Sequence, residues 1–245
     1  VDEPNVGVPK VQPRLPDVIY ENRLKNTVDK MVSNNLDYLI IYADREHYGN
    51  FCYLTGYEPR FEEALLVIDR KGKTYTLLGN ECIGMREHSR VPTEGILYQA
   101  LSLPNQPLHD NKTLTSILSS IGIDESHRLG LVGWKLLHPD FASLQEFDIP
   151  SFIVDEIRLM VGNDSMVNVT DIFIHPEYGL RVINTAEDIA LFEFGAAYAS
   201  DAVQQMLRHT RTGLTEIEIS QKSTAGSIPT TLFPKVLAGD RMDLN

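Results

Sequence analysis

An α/β layered fold is predicted for this chain by three observations. Four runs dense in β-branched and aromatic residues have the length and punctuation of strands: LDYLIIYA (36–43), EALLVID (63–69), KTYTLLG (73–79) and RLGLVGW (128–134). Segments with apolar residues at helical spacing precede and separate them. The alternation of the two is the pattern of a sheet covered by helices.

The elements follow in order. Residues 1–17 hold four prolines and little periodicity, and are expected to form an extended arm. Leu24, Val28, Met31 and Val32 recur at helical spacing over 20–34, and Asn34-Asn35 is the expected stop. The run 36–43 reads as a buried strand. A polar stretch, DREHYGN, separates it from FCYLTGY (51–57). The runs 63–69 and 73–79 flank Arg70-Lys71-Gly72 and predict a hairpin. Residues 80–110 are mixed, with loop signals at Pro92, Pro104 and Pro107. A helix is expected over 114–123, capped by Asn111 or Thr113. A strand follows at 128–134 and a short helix at 138–147, with Pro139 in its first turn. Residues 151–161 are expected to form a strand running into a helical turn, and 161–168 a linker. Thr185 caps a long predicted helix, with Glu187 and Asp188 where the helix dipole favours them. Ile189, Phe192, Ala196, Ala199, Val203, Met206 and Leu207 make its apolar stripe, Gly213 stops it, and Thr215 caps another helix.

Composition narrows the function classes. The 245 residues carry 22 Lys plus Arg against 34 Asp plus Glu, a formal net charge of −12. Phosphate neutralisation needs clustered cations, so a general nucleic-acid binder is not expected. No apolar stretch approaches the roughly 20 residues of a membrane span. The two cysteines, Cys52 and Cys82, are expected to be reduced, buried thiols of a cytoplasmic protein rather than a disulfide scaffold. The seven histidines include no HExxH pair, and neither cysteine belongs to a CxxC. GxGxxG, GxxxxGK[ST] and GxSxG are absent. Asp44, Glu46 and His47 cluster in a turn after a predicted strand, where α/β sheets often place ligands, although a solvated turn has the same composition. Glu62 and Glu63 adjoin, so on a strand they face opposite ways and make a poor acid–base pair. Residue chemistry alone therefore describes an acidic α/β protein without a complete active site, equally suited to enzyme and binding module.

Two stretches carry a resemblance. In 36–78, Asn50, Tyr53, Leu54, Thr55, Gly56 and Tyr57 stand in an N-x-x-YLTG-[FY] pattern between strands. In 179–220, Arg181, Ile183, Thr185, Asp188, Ile189, Gly213, Thr215 and Glu216 follow an R-x-I-K-[ST]-x-x-E-I…G-x-[ST]-E pattern, with Asn184 for the usual Lys and Asp188 for the usual Glu. FPKVLAGDR (233–241) closes the series. Together they resemble the creatinase, prolidase and aminopeptidase P group.

The resemblance implies an amino-terminal domain (mixed sheet flanked by helices) followed by part of an α+β pita-bread domain. The expected layout is an arm at 1–17, the amino-terminal domain at 18–168, a linker at 169–184 and the truncated start of the second domain at 185–245. In the peptidases of the group, two divalent metals (Mn, Co or Zn) held by two Asp, one His and two Glu activate a water against the bond before proline. All five ligands would lie downstream of Asn245, so no metal or catalytic residue is assigned here and the chain alone is expected to be inactive. The implied partners are a second copy of the chain and, for the parent, a proline-containing peptide or a small amidine or amide. The group's loop after YLTG leans toward a neighbouring subunit's active site. In this chain that implies Arg60 as a bidentate grip on a substrate carboxylate, with Tyr57 and Phe61 as apolar walls. A surface arginine between two partly buried aromatics is the plainer alternative. The other functional reading is a non-catalytic member of the fold acting as a binding module. In either case the stripe of the 185–209 helix is expected to expose apolar surface.

Overall fold

The computed structural model describes residues 7–109, 112–137 and 143–223, and Val236. Its contacts divide the chain into two units: Pro16–Ile183, and Val1–Leu15 together with Asn184–Asn245.

In the first unit, β1 (Tyr38–Ala43), β2 (Ala64–Asp69), β3 (Thr74–Leu78), β4 (Glu94–Leu97), β5 (Leu129–Val132) and β6 (Met166–Asn168) form one mixed sheet, ordered β4-β3-β2-β1-β5-β6. β1 pairs antiparallel with β2 from Tyr38↔Asp69 to Ala43↔Ala64, and parallel with β5 from Tyr38↔Leu129. The β2–β3 hairpin turns on Asp69, whose Oδ1 accepts from the backbone N–H of Lys71 (2.8 Å) and Lys73 (2.9 Å). Gly72 sits there at φ 85°, a conformation a Cβ would strain.

Alternation along the strands builds two core layers. Ile40 and Tyr42 of β1, with Leu65 and Val67 of β2, pack against α3 (Leu114–Ser120) and α4 (Ser151–Val161). Leu39 and Ile41, with Leu66 and Ile68, pack on the other face against α1 (Asp17–Ser33), α2 (Gly49–Thr55) and α5 (Asp171–Ile174). Both faces are covered, which is why the strands read as nearly continuous apolar runs.

The predicted stop of α1 is a full left-handed cap. Asn35 has φ 55°, its N–H bonds the Val32 carbonyl (3.1 Å), and the Leu36 N–H bonds that of Met31 (2.9 Å). The Thr113 hydroxyl accepts from the Ser116 N–H at the start of α3 (3.1 Å).

Three expectations are corrected, and the mixed stretch at 80–110 is filled in. Residues 151–161 are helix throughout: the β-branched residues suggested a strand, but Ile153, Val154, Ile157 and Val161 share one helical face, which is buried. The 161–168 stretch ends in β6, whose strand character comes from pairing with β5 rather than from its own pattern. Residues 80–110 contain β4 and two short 3₁₀ turns, 83–88 and 99–101. Of the helix expected at 138–147, residues 143–147 form a turn and 138–142 lie outside the described residues.

In the second unit, α6 (Ala186–His209) and α7 (Glu216–Ser220) both begin with capping boxes. Thr185 accepts from the Asp188 N–H while the Asp188 carboxylate accepts from the Thr185 N–H, and Thr215 and Glu218 repeat the arrangement. Asp188 therefore serves as the N3 carboxylate of a capping box, a position where Glu or Gln is the common choice. Ile189, Phe192, Val203 and Leu207 are exposed on α6, as expected for its stripe. The block at 233–241 lies outside the described residues save Val236.

Candidate functional site

FCYLTGY forms most of a short helix and its terminator. α2 ends at Gly56 (φ 79°), where a Cβ would lie 2.3 Å from the Arg90 Cγ. The reversal turns Tyr57 inward: it is 6% exposed, with its ring edge-on to Phe51 at 5.2 Å. Burial pushes its phenol well above the ordinary range. Its hydroxyl and that of Thr76 are both buried and close enough to interact, but among the described residues neither meets hydrogen-bond geometry with any group. Tyr57 is thus largely buried beneath the loop, with part of it lining the hollow beside Arg60.

Arg60 and Phe61 face outward. Arg60 holds φ 61°, uncommon for a residue with a side chain, and its guanidinium lies 5.0 Å from the Phe61 ring, which is 55% exposed. No described carboxylate pairs with Arg60. The loop is pinned from below, where the Cys82 thiol donates to the Pro59 carbonyl (2.5 Å). Beside it is an open hollow of about 500 Å³ whose lining includes Tyr48, Cys52, Tyr57, Glu58, Arg60 and His88. Burial, reinforced by the Glu58 charge, raises the Cys52 thiol, so it is not an activated nucleophile. The chemistry left to the loop is a cation beside an exposed aromatic face, suited to a carboxylate attached to an apolar group.

The rest of the motif is architectural. Asn50 donates from Nδ2 to the Gly133 carbonyl (2.8 Å) and accepts at Oδ1 from Arg181 (2.8 Å). The Tyr53 hydroxyl donates to the Leu180 carbonyl (3.0 Å). Arg23 lies over the Tyr53 ring at 4.3 Å and donates to its carbonyl (2.9 Å).

The Asp44 turn stands at the carboxyl end of β1, beside that of β5. Asp44 Oδ1 accepts from the backbone N–H of Glu46 (2.8 Å) and His47 (2.7 Å), and His47 Nδ1 lies 3.0 Å from Oδ2. The His47 ring stacks on Trp134 at 3.9 Å. Behind it the Tyr42 hydroxyl lies 2.9 Å from Glu63 and 3.3 Å from Asp44. Burial raises the Glu63 carboxyl despite that hydrogen bond. Burial would also raise Asp44, but the bonds from the His47 ring and the two amides outweigh it and hold the carboxyl below its usual range. Such a depressed carboxyl stabilises the turn above its unfolded pKa, and that contribution is lost as pH falls through the folded value. Trp134 is the chain's single tryptophan. Its emission is expected to change on acidification below about pH 4, the ordinary carboxylate range, and Asp44→Asn is expected to remove that step; an unchanged titration in the variant would contradict this. Trp134 is the partner that sequence reasoning missed, its only signal being a lone tryptophan at the end of a predicted strand.

Among the described residues no three His, Cys, Asp or Glu side chains converge to hold a metal ion, so these residues do not fit the metal pair of the peptidases. No helix among them is long and apolar enough to cross a membrane.

The fold has solved counterparts. The prolidase from Pyrococcus horikoshii OT3 matches with a TM-score of 0.57 at 17% identity, over 82% of this chain and 47% of that one. A recombinant prolidase from Thermococcus sibiricus matches at 0.58 and 14%, over 83% and 48%. Dipeptidase PepE from Mycobacterium ulcerans matches at 0.57 and 13%, over 86% and 50%. The chain spans about half the length of these proteins. No curated protein sequence matches it. The family model described as the Creatinase/Prolidase N-terminal domain matches residues 23–148, just over half of the chain, and the chain belongs to that family.

Proposed function

We infer that this chain is the amino-terminal portion of a metal-dependent Xaa-Pro peptidase or creatinase-like hydrolase, contributing a dimer contact and shaping the substrate pocket. The observation that carries the reading is the loop after YLTG, where Arg60 is held in a left-handed conformation beside an exposed Phe61 in a chain with this family's fold. Strained backbone of this kind persists where the surroundings over-determine it, and it clusters at ligand clamps. Arg60 grips a substrate carboxylate, with Tyr57 and Phe61 as apolar walls. The layout of this reading is an amino-terminal domain at 18–168, a linker at 169–184 and the opening of a pita-bread domain from 185. The parent is a cytoplasmic homodimer with two divalent ions, Mn, Co or Zn, held by residues beyond Asn245. The chain alone is inactive.

The test is Arg60→Gly in the longer natural protein. Glycine tolerates the left-handed backbone, so stability should hold. KM for an Xaa-Pro dipeptide is expected to rise about tenfold, near 1.4 kcal/mol, with kcat little changed. An unchanged KM removes Arg60 from the pocket. Xaa-Pro cleavage by the 245-residue chain with added manganese removes the expectation of inactivity.

A further inference from the structure

The arm does not behave as part of the domain it precedes. Residues 7–15 have no helix or strand and fall into one compact unit with α6. The Tyr198 hydroxyl donates to the Pro9 carbonyl at 3.0 Å, a bond spanning 189 residues of chain. Pro9 and Pro13 are half-buried and Leu15 is 7% exposed, whereas Val11 between them is 80% exposed. On the helix, Phe194 is 8% exposed and its ring lies 4.9 Å from that of Tyr198. Ala190, Ala197 and Ser200 lie along the same stretch of helix, and their small side chains admit a chain close to its axis. A hollow of about 540 Å³ remains between arm and helix.

We propose that this face of α6 is a binding groove for an extended, proline-containing segment, and that the chain's own arm occupies it as an intramolecular strap. Proline suits the arm because it loses little conformational freedom on becoming extended and has no backbone N–H to leave unpaired. Tyr198 supplies the donor that recognises the backbone, and the small residues supply shape. Recognition of an extended segment by an aromatic hydroxyl beside a trough of small and aromatic side chains, with Glu193 at its wall, follows the physics of proline-rich peptide grooves. Phe194 lines the hollow together with Pro9 and Pro13 and is buried, whereas Phe192 on the same helix is 69% exposed.

Hydrogen exchange on the 245-residue chain tests this. Deleting residues 1–15 is expected to speed exchange of the amides at 190–200 at least tenfold while leaving 38–78 unchanged. Tyr198→Phe, which removes one oxygen and keeps the ring pair, is expected to speed it severalfold without any truncation. A synthetic peptide of residues 7–15 should restore protection to the deletion variant, and a scrambled peptide of the same composition should not. Unchanged exchange at 190–200 in both variants overturns the proposal. Protection that grows with protein concentration, together with a dimer that the deletion abolishes, would place the arm on a second copy and overturn the intramolecular strap.

Discussion

Replacing Glu62 with Ala is expected to cost the chain about 3–5 kcal/mol of unfolding free energy, from two buried amides at about 1–3 kcal/mol each and a cavity besides. Glu62 is 2% exposed, and its carboxylate accepts from the backbone N–H of Glu81 (3.1 Å) and Cys82 (2.9 Å), with that of Leu103 at 3.4 Å. One side chain therefore ties the entry to β2 to the turn after β3 and to the segment beyond the 99–101 turn. Alanine removes the acceptor and brings nothing to replace it. Glu62→Gln keeps one oxygen and should cost less, about 1–2 kcal/mol. Gly79→Ala probes the same place from the other side, because a Cβ there would lie 2.7 Å from the Glu62 carboxyl carbon. The consequence reaches the candidate loop. Cys82, which holds the Pro59 carbonyl, is itself held by Glu62, so loss of the carboxylate loosens the backbone that presents Arg60. Urea unfolding of the three variants checks the order Glu62→Ala, then Gly79→Ala, then Glu62→Gln. A loss below 1 kcal/mol for the alanine variant would show that water takes over the acceptor's role.

What the sequence made legible was local. The Asn34-Asn35 stop, the Thr185 and Thr215 caps and the Asp69–Gly72 turn depend on a few adjacent residues, and each lies where its chemistry places it. β4 and β6 were not legible because strands of four and three residues are too short to show a period, and pairing with β3 and β5 makes them strands. α4 was misjudged because Ile153, Val154 and Val161 favour strands by propensity, and burial of one helical face overrides so weak a preference. The candidate loop divides the same way. Its position followed from the YLTG pattern, but the inward turn of Tyr57 depends on Gly56 lying against Arg90, which no spacing reveals. Glu62 looked like half of a poor acid–base pair; its partners are backbone amides, invisible in a sequence of side chains.

Asn50 should show the second large effect, and it bears on why the two sequence patterns occur together. Its side chain is 3% exposed and engaged at both its nitrogen and its oxygen, donating to Gly133 and accepting from Arg181, residues 83 and 131 positions away. Arg181 opens the second pattern, so the N-x-x-YLTG and R-x-I motifs meet in one hydrogen bond. Tyr53 repeats the connection through the Leu180 carbonyl. Gly49 belongs to the same contact, since a Cβ there would lie 2.6 Å from the Arg181 guanidinium. Asn50→Ala leaves the Gly133 carbonyl without its side-chain donor and the guanidinium without its acceptor, a cost of about 2–4 kcal/mol. Asn50→Asp strengthens the bond to Arg181 by charge but sets an oxygen against the Gly133 carbonyl, so it should recover only part of the loss. The decisive measurement is a double-mutant cycle of Asn50→Ala with Arg181→Ala. Groups in direct contact couple by about 0.5–3 kcal/mol, and a value of at least 1 kcal/mol is expected here. Additive losses would mean that the motifs merely lie near each other, and that the Gly133 bond alone accounts for the asparagine.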